Sequence, residues 1–225
     1  LLSRLYQVGE FKRLPAVLYL QRVHGSNTQA DPEVNRRIQQ GTVALYDATI
    51  ERLALAWAKR RDLLALDLGG AHNPAPDFLS VDVVPGVDLR GDVFDVLADL
   101  RDSSVGVIRA VDFLEHVADK TRLANEIWRV LAPDGMLLSC TPSTDGRGAW
   151  QDPTHVAGYN ENSFWYLTNI EYARYVPDSK ARFQESRLVT YFPTEWHREH
   201  NIPYVQANLI CLKAGGHRNG GYLKW

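Results

Sequence analysis

Leu63-Leu64-Ala65-Leu66-Asp67-Leu68-Gly69-Gly70 is an apolar run that stops at two glycines. A run of this length, closed by residues that let the backbone approach a ligand, reads as a buried parallel strand and the turn at its carboxyl end. The segment that follows is short and carries Asn73, Pro74 and Pro76, so it predicts a loop or a single turn where a crossover helix would otherwise stand. Residues 78–84 form the next predicted strand, and Asp82 at its end is placed to accept hydrogen bonds from two ribose hydroxyls, as in nucleotide-binding parallel sheets. Residues 87–93 read as a third strand with Asp92 facing an adenine amino group. A fourth, residues 105–111, delivers Asp112, Phe113, Glu115 and His116 to the same edge. Singly, each acid has an ordinary use in a turn or a cap; their order and spacing point together to one nucleotide-type cofactor.

Five strings carry a family resemblance: Leu66-Asp67-Leu68-Gly69-Gly70, Ser80-Val81-Asp82, Gly91-Asp92-Val93, Phe113-Leu114-Glu115-His116-Val117, and Glu126-Ile127-Trp128-Arg129-Val130-Leu131-Ala132-Pro133-Asp134-Gly135. Over residues 62–213 the chain resembles class I S-adenosylmethionine-dependent methyltransferases. The resemblance implies an α/β fold, a doubly wound, mostly parallel seven-stranded sheet of the Rossmann-like methyltransferase kind, here with an N-terminal helical extension. It implies S-adenosyl-L-methionine as cofactor, with Asp67, Gly69 and Gly70 lining the methionine half, Asp82 the ribose and Asp92 the adenine. Ala71, His72, Val83, Val93, Asp112 and Phe113 complete the expected cofactor site, His72 by contact with the cofactor carboxylate. Ala71 departs from the family, which usually has glycine there. Alanine enters positive φ only at a cost, so the turn is expected to differ in shape or to be less open.

Composition narrows the function. The chain has 225 residues, 25 Lys and Arg against 27 Asp and Glu, and a net charge of −2, so it has no basic excess with which to neutralise phosphates and nucleic acid is not an expected partner. No membrane span is legible, and the expected location is the cytoplasm. The Asn-Pro-Pro-Tyr signature of methyltransferases that act on base amino groups is missing; Thr141-Pro142-Ser143 follows the fifth strand instead. The two cysteines, Cys140 and Cys211, lie in apolar strand-like runs and are expected to be free thiols.

The first sixty residues lack the alternation of strand and helix and end in a predicted helix over residues 32–61. The string from Phe11 to Thr28 resembles the closing part of a family-2 glycosyltransferase, a resemblance that covers residues 1–60 and lacks that family's Asp-x-Asp region. Two domains are therefore expected: residues 1–61, a glycosyltransferase-like remnant with a connecting helix, and residues 62–225, the methyltransferase domain. The expected partners are a glycosyltransferase domain in the same longer chain and a sugar or glycan acceptor. The other reading of the first segment is a helical cap native to the methyltransferase. Trp225, in the glycine-rich tail, is read either as a contact for a homo-oligomer or as a truncated end.

A sugar hydroxyl is hardly ionised at neutral pH, so its methylation calls for a general base, and histidine, with an ordinary pKa of about 6.5, is suited to the task. His155, in Trp150-Gln151-Asp152-Pro153-Thr154-His155, lies on the loop after the fifth strand and is the expected base, with Asp152 orienting it or sharing a metal with it. His116 is the expected pocket wall. Some sugar O-methyltransferases use a divalent cation held by carboxylates, for which Asp112, Glu115, Asp145 and Asp152 are available, but no spacing among them is diagnostic and no metal is assigned. Trp150, Tyr159, Phe164, Trp165 and Tyr166 offer aromatic faces for a sugar ring, with Phe164 and Tyr166 expected mainly to seat a helix on the sheet. The alternative function is an inactive methyltransferase-like scaffold for the sugar-transferring half.

Overall fold

A computed structural model describes residues 31–213. The glycosyltransferase-like string, residues 11–28, and the tail from residue 214 fall outside that range. The chain divides into two compact units, one ending at Trp57 and the other beginning at Ala58.

Helix α1 (Pro32–Lys59) opens on Asp31, whose carboxylate accepts from the Glu33 and Val34 amides, and carries a Glu33–Arg36 ion pair on its first turn. Among the described residues no helix is long and apolar enough to cross a membrane.

Among the described residues the second unit is built on one seven-stranded sheet. Its strands are β1 (Leu64–Leu68), β2 (Leu79–Asp82), β3 (Leu89–Arg90), β4 (Val105–Val111), β5 (Leu131–Pro142), β6 (Phe183–Tyr191) and β7 (Tyr204–Cys211). They lie in the order β3-β2-β1-β4-β5-β7-β6. The strands from β1 to β5 run parallel, and β7 pairs antiparallel with both of its neighbours. Strand order reverses between β1 and β4, the place where a doubly wound sheet opens a crevice at its carboxyl edge. The helices are α2 (Val93–Ala98), α3 (Lys120–Val130), α4 (Gly148–Gln151), α5 (Glu161–Thr168), α6 (Ile170–Ala173) and α7 (Glu195–Glu199), with a 3-10 turn at Leu114–His116. Leu66, Leu68, Ile108, Ile127, Leu131 and Leu209 are among the fully buried core side chains.

This is the Rossmann-like methyltransferase fold read from the sequence, with one local correction. The predicted third strand, residues 87–93, pairs only at Leu89–Arg90, because Asp92 accepts from the Phe94 amide and caps α2. The Pro133-Asp134-Gly135 turn lies inside β5, where Asp134 takes φ 69° and the pairing with β4 shifts register. Residues 195–199 form helix α7, capped by Thr194. As expected, no helix separates β1 from β2.

The crevice is set by one ion pair. Asp67 and Arg109 are register partners on β1 and β4, and Arg109 Nη1 donates to Asp67 Oδ1 at 2.8 Å. Oδ2 accepts from the Ala75 amide at 2.9 Å, so the carboxylate also ties down the loop beyond the glycines. Asp67 is 1 % exposed and the Arg109 side chain 17 %. Removing one partner of such a buried pair leaves the other charge uncompensated, a loss of about 3–5 kcal/mol. Arg109→Leu is accordingly expected to lower the thermal unfolding midpoint by about 6–20 °C, at about 2–4 °C per kcal/mol for a chain of this size; calorimetry on the purified variant checks it.

Candidate active site

Gly69 sits at φ +75°, and a Cβ there would stand 2.8 Å from the Phe113 ring. At Gly70 a Cβ would stand 2.7 Å from Asp67 Oδ2. Both glycines are therefore required by close approach, the second to the carboxylate that holds the turn. Ala71 is not among the positive-φ residues, so the departure from glycine at this position introduces no strain.

Register places the remaining predicted cofactor residues along the same edge. Leu68 pairs with Val81 and with Ala110, which sets Asp82 beside Gly69 and Asp112 near Gly70. Asp82 Oδ1 accepts from the Val83 and Val84 amides, and among the described residues its Oδ2 carries no hydrogen bond. That arrangement leaves one fixed carboxylate oxygen for a diol. Asp67 is different: both of its oxygens are engaged and it is buried, so it acts on the turn from beneath. Asp92 has Oδ1 on its helix cap, Val93 is buried, and His72 and Val83 are exposed.

Next to this edge opens a groove of about 220 Å³ lined by Asp112, Glu115, His116, Pro142, Gly148, Gln151, Asp152, His155, Ile202 and Tyr204. Two backbone hydrogen bonds build it, from the Val156 and Ala157 amides to the Glu115 carbonyl, which pin the loop after β5 against the 3-10 turn after β4. His116 and His155, far apart in sequence, meet edge to face with ring centroids 5.0 Å apart.

Each ring has its protonation pattern set by a carbonyl. His155 Nδ1 lies 3.0 Å from the Ala149 carbonyl oxygen, which can only accept, so Nδ1 carries the hydrogen and Nε2 of the neutral ring is a lone pair. His116 Nδ1 is held in the same way by the Thr154 carbonyl at 3.2 Å. Asp152, expected to orient His155, instead binds the Thr154 amide and hydroxyl through Oδ1, which holds its pKa below the ordinary carboxylate range. Its Oδ2 stands 4.0 Å from His155 Nε2. The orienting group for His155 is the Ala149 carbonyl.

Glu115 is 1 % exposed. Oε2 accepts from the Thr141 hydroxyl at 2.6 Å, whereas Oε1 has no hydrogen-bond partner and stands 4.0 Å from His155 Nε2. Burial pushes the Glu115 carboxyl above its ordinary value, against the Thr141 hydrogen bond, which lowers it. Asp112 takes the left-handed conformation, φ 49°, where a non-glycine residue is strained. Burial raises the Asp112 pKa, and the hydrogen bond from the Tyr204 hydroxyl works in the opposite direction.

Sequence reasoning did not reach Tyr204 and Thr141 as site residues. Both depend on the β5–β7 pairing, in which Thr141 faces Val205 and Pro142 faces Tyr204, and an antiparallel partner so distant in sequence leaves no local signal. Among the aromatic residues, Phe164 and Tyr159 stack in the core, while Tyr166 lies exposed against Tyr172 and does not simply seat the helix. Trp150 is 63 % exposed on α4, between the groove residues Gly148 and Gln151. Cys140 and Cys211 are free thiols raised by burial to about 11 and about 12.

Residues 36–139 match the family model described as a methyltransferase domain. No curated protein sequence matches the chain. Among solved structures, the chain is similar to an S-adenosylmethionine-dependent methyltransferase from Archaeoglobus fulgidus (12 % identity, 71 % of this chain and 93 % of the other, TM-score 0.47). It is also similar to an arsenic(III) S-adenosylmethionine methyltransferase from Chlamydomonas reinhardtii (17 %, 69 % and 65 %, 0.44). A third is a geranyl diphosphate C-methyltransferase from Streptomyces coelicolor A3(2) (15 %, 67 % and 70 %, 0.44). The stretch that the family model matches runs from α1 through β4 and into β5, the parallel part of the sheet.

The raised Glu115 pKa has a sign that can be checked. Between the ordinary glutamate value and the raised one the native state holds a proton that the unfolded chain has lost, so stability falls as pH rises through that window. Below it both states are protonated and the penalty vanishes. Glu115→Gln is expected to raise the unfolding midpoint by a few degrees at about pH 7.5, the gain of about 1–3 kcal/mol from removing a buried unpaired charge, and to make little difference near pH 4. Thermal melts across that range test it.

Proposed function

We propose that the chain transfers a methyl group from S-adenosyl-L-methionine to a hydroxyl of a sugar or glycan, as the methylating part of a longer protein whose preceding part supplies the glycan. The observation that carries this reading is His155: an imidazole with a fixed lone pair at Nε2, flanked at 4.0 Å by two carboxylates, in a groove beside the diglycine turn. An amine acceptor can lose its proton to solvent, whereas a hydroxyl needs a positioned base as the new bond forms.

The chain's own residues divide the work. Asp82, through Oδ2, is assigned to the ribose diol, with Val83 at its side; the Gly69-Gly70 turn, Ala71, His72 and Phe113 border the methionine half, and Asp92 with Val93 the adenine. Asp67 contributes by holding the turn. The cofactor, when bound, supplies a methyl carbon on a sulfonium sulfur, which the acceptor oxygen takes in an in-line displacement that leaves a neutral thioether. His155 Nε2 receives the hydroxyl proton, and Glu115 Oε1 and Asp152 Oδ2 stabilise the imidazolium. His116 and Tyr204 wall the groove and exclude water. Trp150, exposed beside the groove, offers a flat apolar surface for one face of a sugar ring.

His155→Gln is expected to lower turnover about 10²-fold or more, the usual contribution of a general base, with unchanged affinity for S-adenosylhomocysteine. Asp82→Ala is expected to weaken that affinity at least about tenfold, the equivalent of one charge-assisted hydrogen bond. Labelled methyl transfer to a panel of free sugars, nucleotide sugars and glycosylated proteins, with calorimetry for the homocysteine product, reads both. Turnover near wild type in His155→Gln removes the base, and transfer only to amines overturns the acceptor class.

A further inference from the structure

We propose that Glu115, His116 and His155 form a binding site for one divalent transition-metal ion. One ligand atom from each of the three lies within 4.8 Å of the others. This donor set, two imidazoles and one carboxylate, leaves coordination positions open and suits Zn²⁺, Co²⁺ or Ni²⁺ better than Mg²⁺ or Ca²⁺, which prefer oxygen throughout.

Proximity alone would not distinguish a metal site from a polar cluster. The first further observation is Glu115 Oε1, an oxygen of a carboxylate 1 % exposed that has no hydrogen-bond partner. A buried carboxylate oxygen without a donor is costly, and a cation shared with His155 Nε2, 4.0 Å away, would satisfy it. The second is how the outer atoms of the same side chains are held. His155 Nδ1 is fixed by the Ala149 carbonyl, His116 Nδ1 by the Thr154 carbonyl, and Glu115 Oε2 by the Thr141 hydroxyl. Metal-binding histidines and carboxylates are oriented in this way, each tied through the atom that does not ligate. Asp152 Oδ2, 4.0 Å from His155 Nε2, is in reach as a fourth ligand.

The consequence for catalysis rests on the proposed function, but the binding does not. A metal at His155 Nε2 takes the lone pair assigned to the proton, so the two uses exclude each other in one molecule. In the loaded chain the ion would acidify a coordinated acceptor hydroxyl, and the proton would pass to solvent.

Calorimetry of the metal-stripped chain with Zn²⁺, and visible absorption with Co²⁺, test the site without reference to turnover. One ion per chain with a dissociation constant at or below about 10 μM is expected, lost in the double variant His116→Asn/His155→Asn and in Glu115→Gln, with affinity for S-adenosylhomocysteine unchanged in each. Thr141→Val is expected to weaken the ion about 10–100-fold, as loss of an outer hydrogen bond does. The control is His197→Ala/His200→Ala, which removes the histidines of α7 and its cap, where Nδ1 atoms face Thr194 and Trp196. Absence of binding, or binding that survives the first double variant and disappears in the control, overturns the proposal. Neither result touches the methyltransferase reading, which fails only if the homocysteine product does not bind.

Discussion

The Asp67–Arg109 pair is the constraint on which the crevice depends. It joins β1 to β4 at the point where strand order reverses, and the same carboxylate accepts from Ala75 and fills the space beneath Gly70. A larger residue at Gly70 would collide with it; a neutral one at position 67 would leave Arg109 without its strand partner and the loop without its acceptor. The acid that precedes the glycines is thus a support for the turn, and the turn in turn sets the level at which Asp82 and Asp112 leave their strands. An edge defined by one buried charge pair is stiff, which suits the proposed methyl transfer, whose rate would depend on the alignment of three atoms.

In the groove of His116 and His155 the construction is different. No strand carries His155; the loop after β5 is held by two amides on the Glu115 carbonyl, and the imidazole is turned by the Ala149 carbonyl. Glu115 joins the two sides, since its backbone anchors the loop and its side chain reaches Thr141 and the histidines. Its carboxylate is buried with one oxygen unpartnered, an arrangement that costs stability and persists where function requires it. The strained backbone at Asp112, one strand end away, fits the same pattern.

Most of the fold was legible because its signals are local. Apolar runs ending in glycine or an acid located β1, β2 and β4, and the proline-rich segment after Gly70 excluded a helix there. The third strand is shorter than its sequence suggests because Asp92 is a helix cap, a use that an isolated Asp-Val pair does not reveal. The histidines were legible as residues with chemistry, but not their meeting across the groove, which depends on backbone bonds between residues 115 and 156–157. Asp152 looked like the orienting partner by nearness in sequence, and a carbonyl, which every residue has, took that part. Tyr204 and Thr141 could be recognised only once β7 was paired with β5.

The most direct test of this account is a crystal structure of the chain with S-adenosylhomocysteine. Expected are the ribose hydroxyls on Asp82, the homocysteine portion along the Gly69-Gly70 turn, and the sulfur facing the groove of Glu115, His116 and His155. A ligand bound elsewhere, or one whose sulfur faces away from that groove, would contradict it.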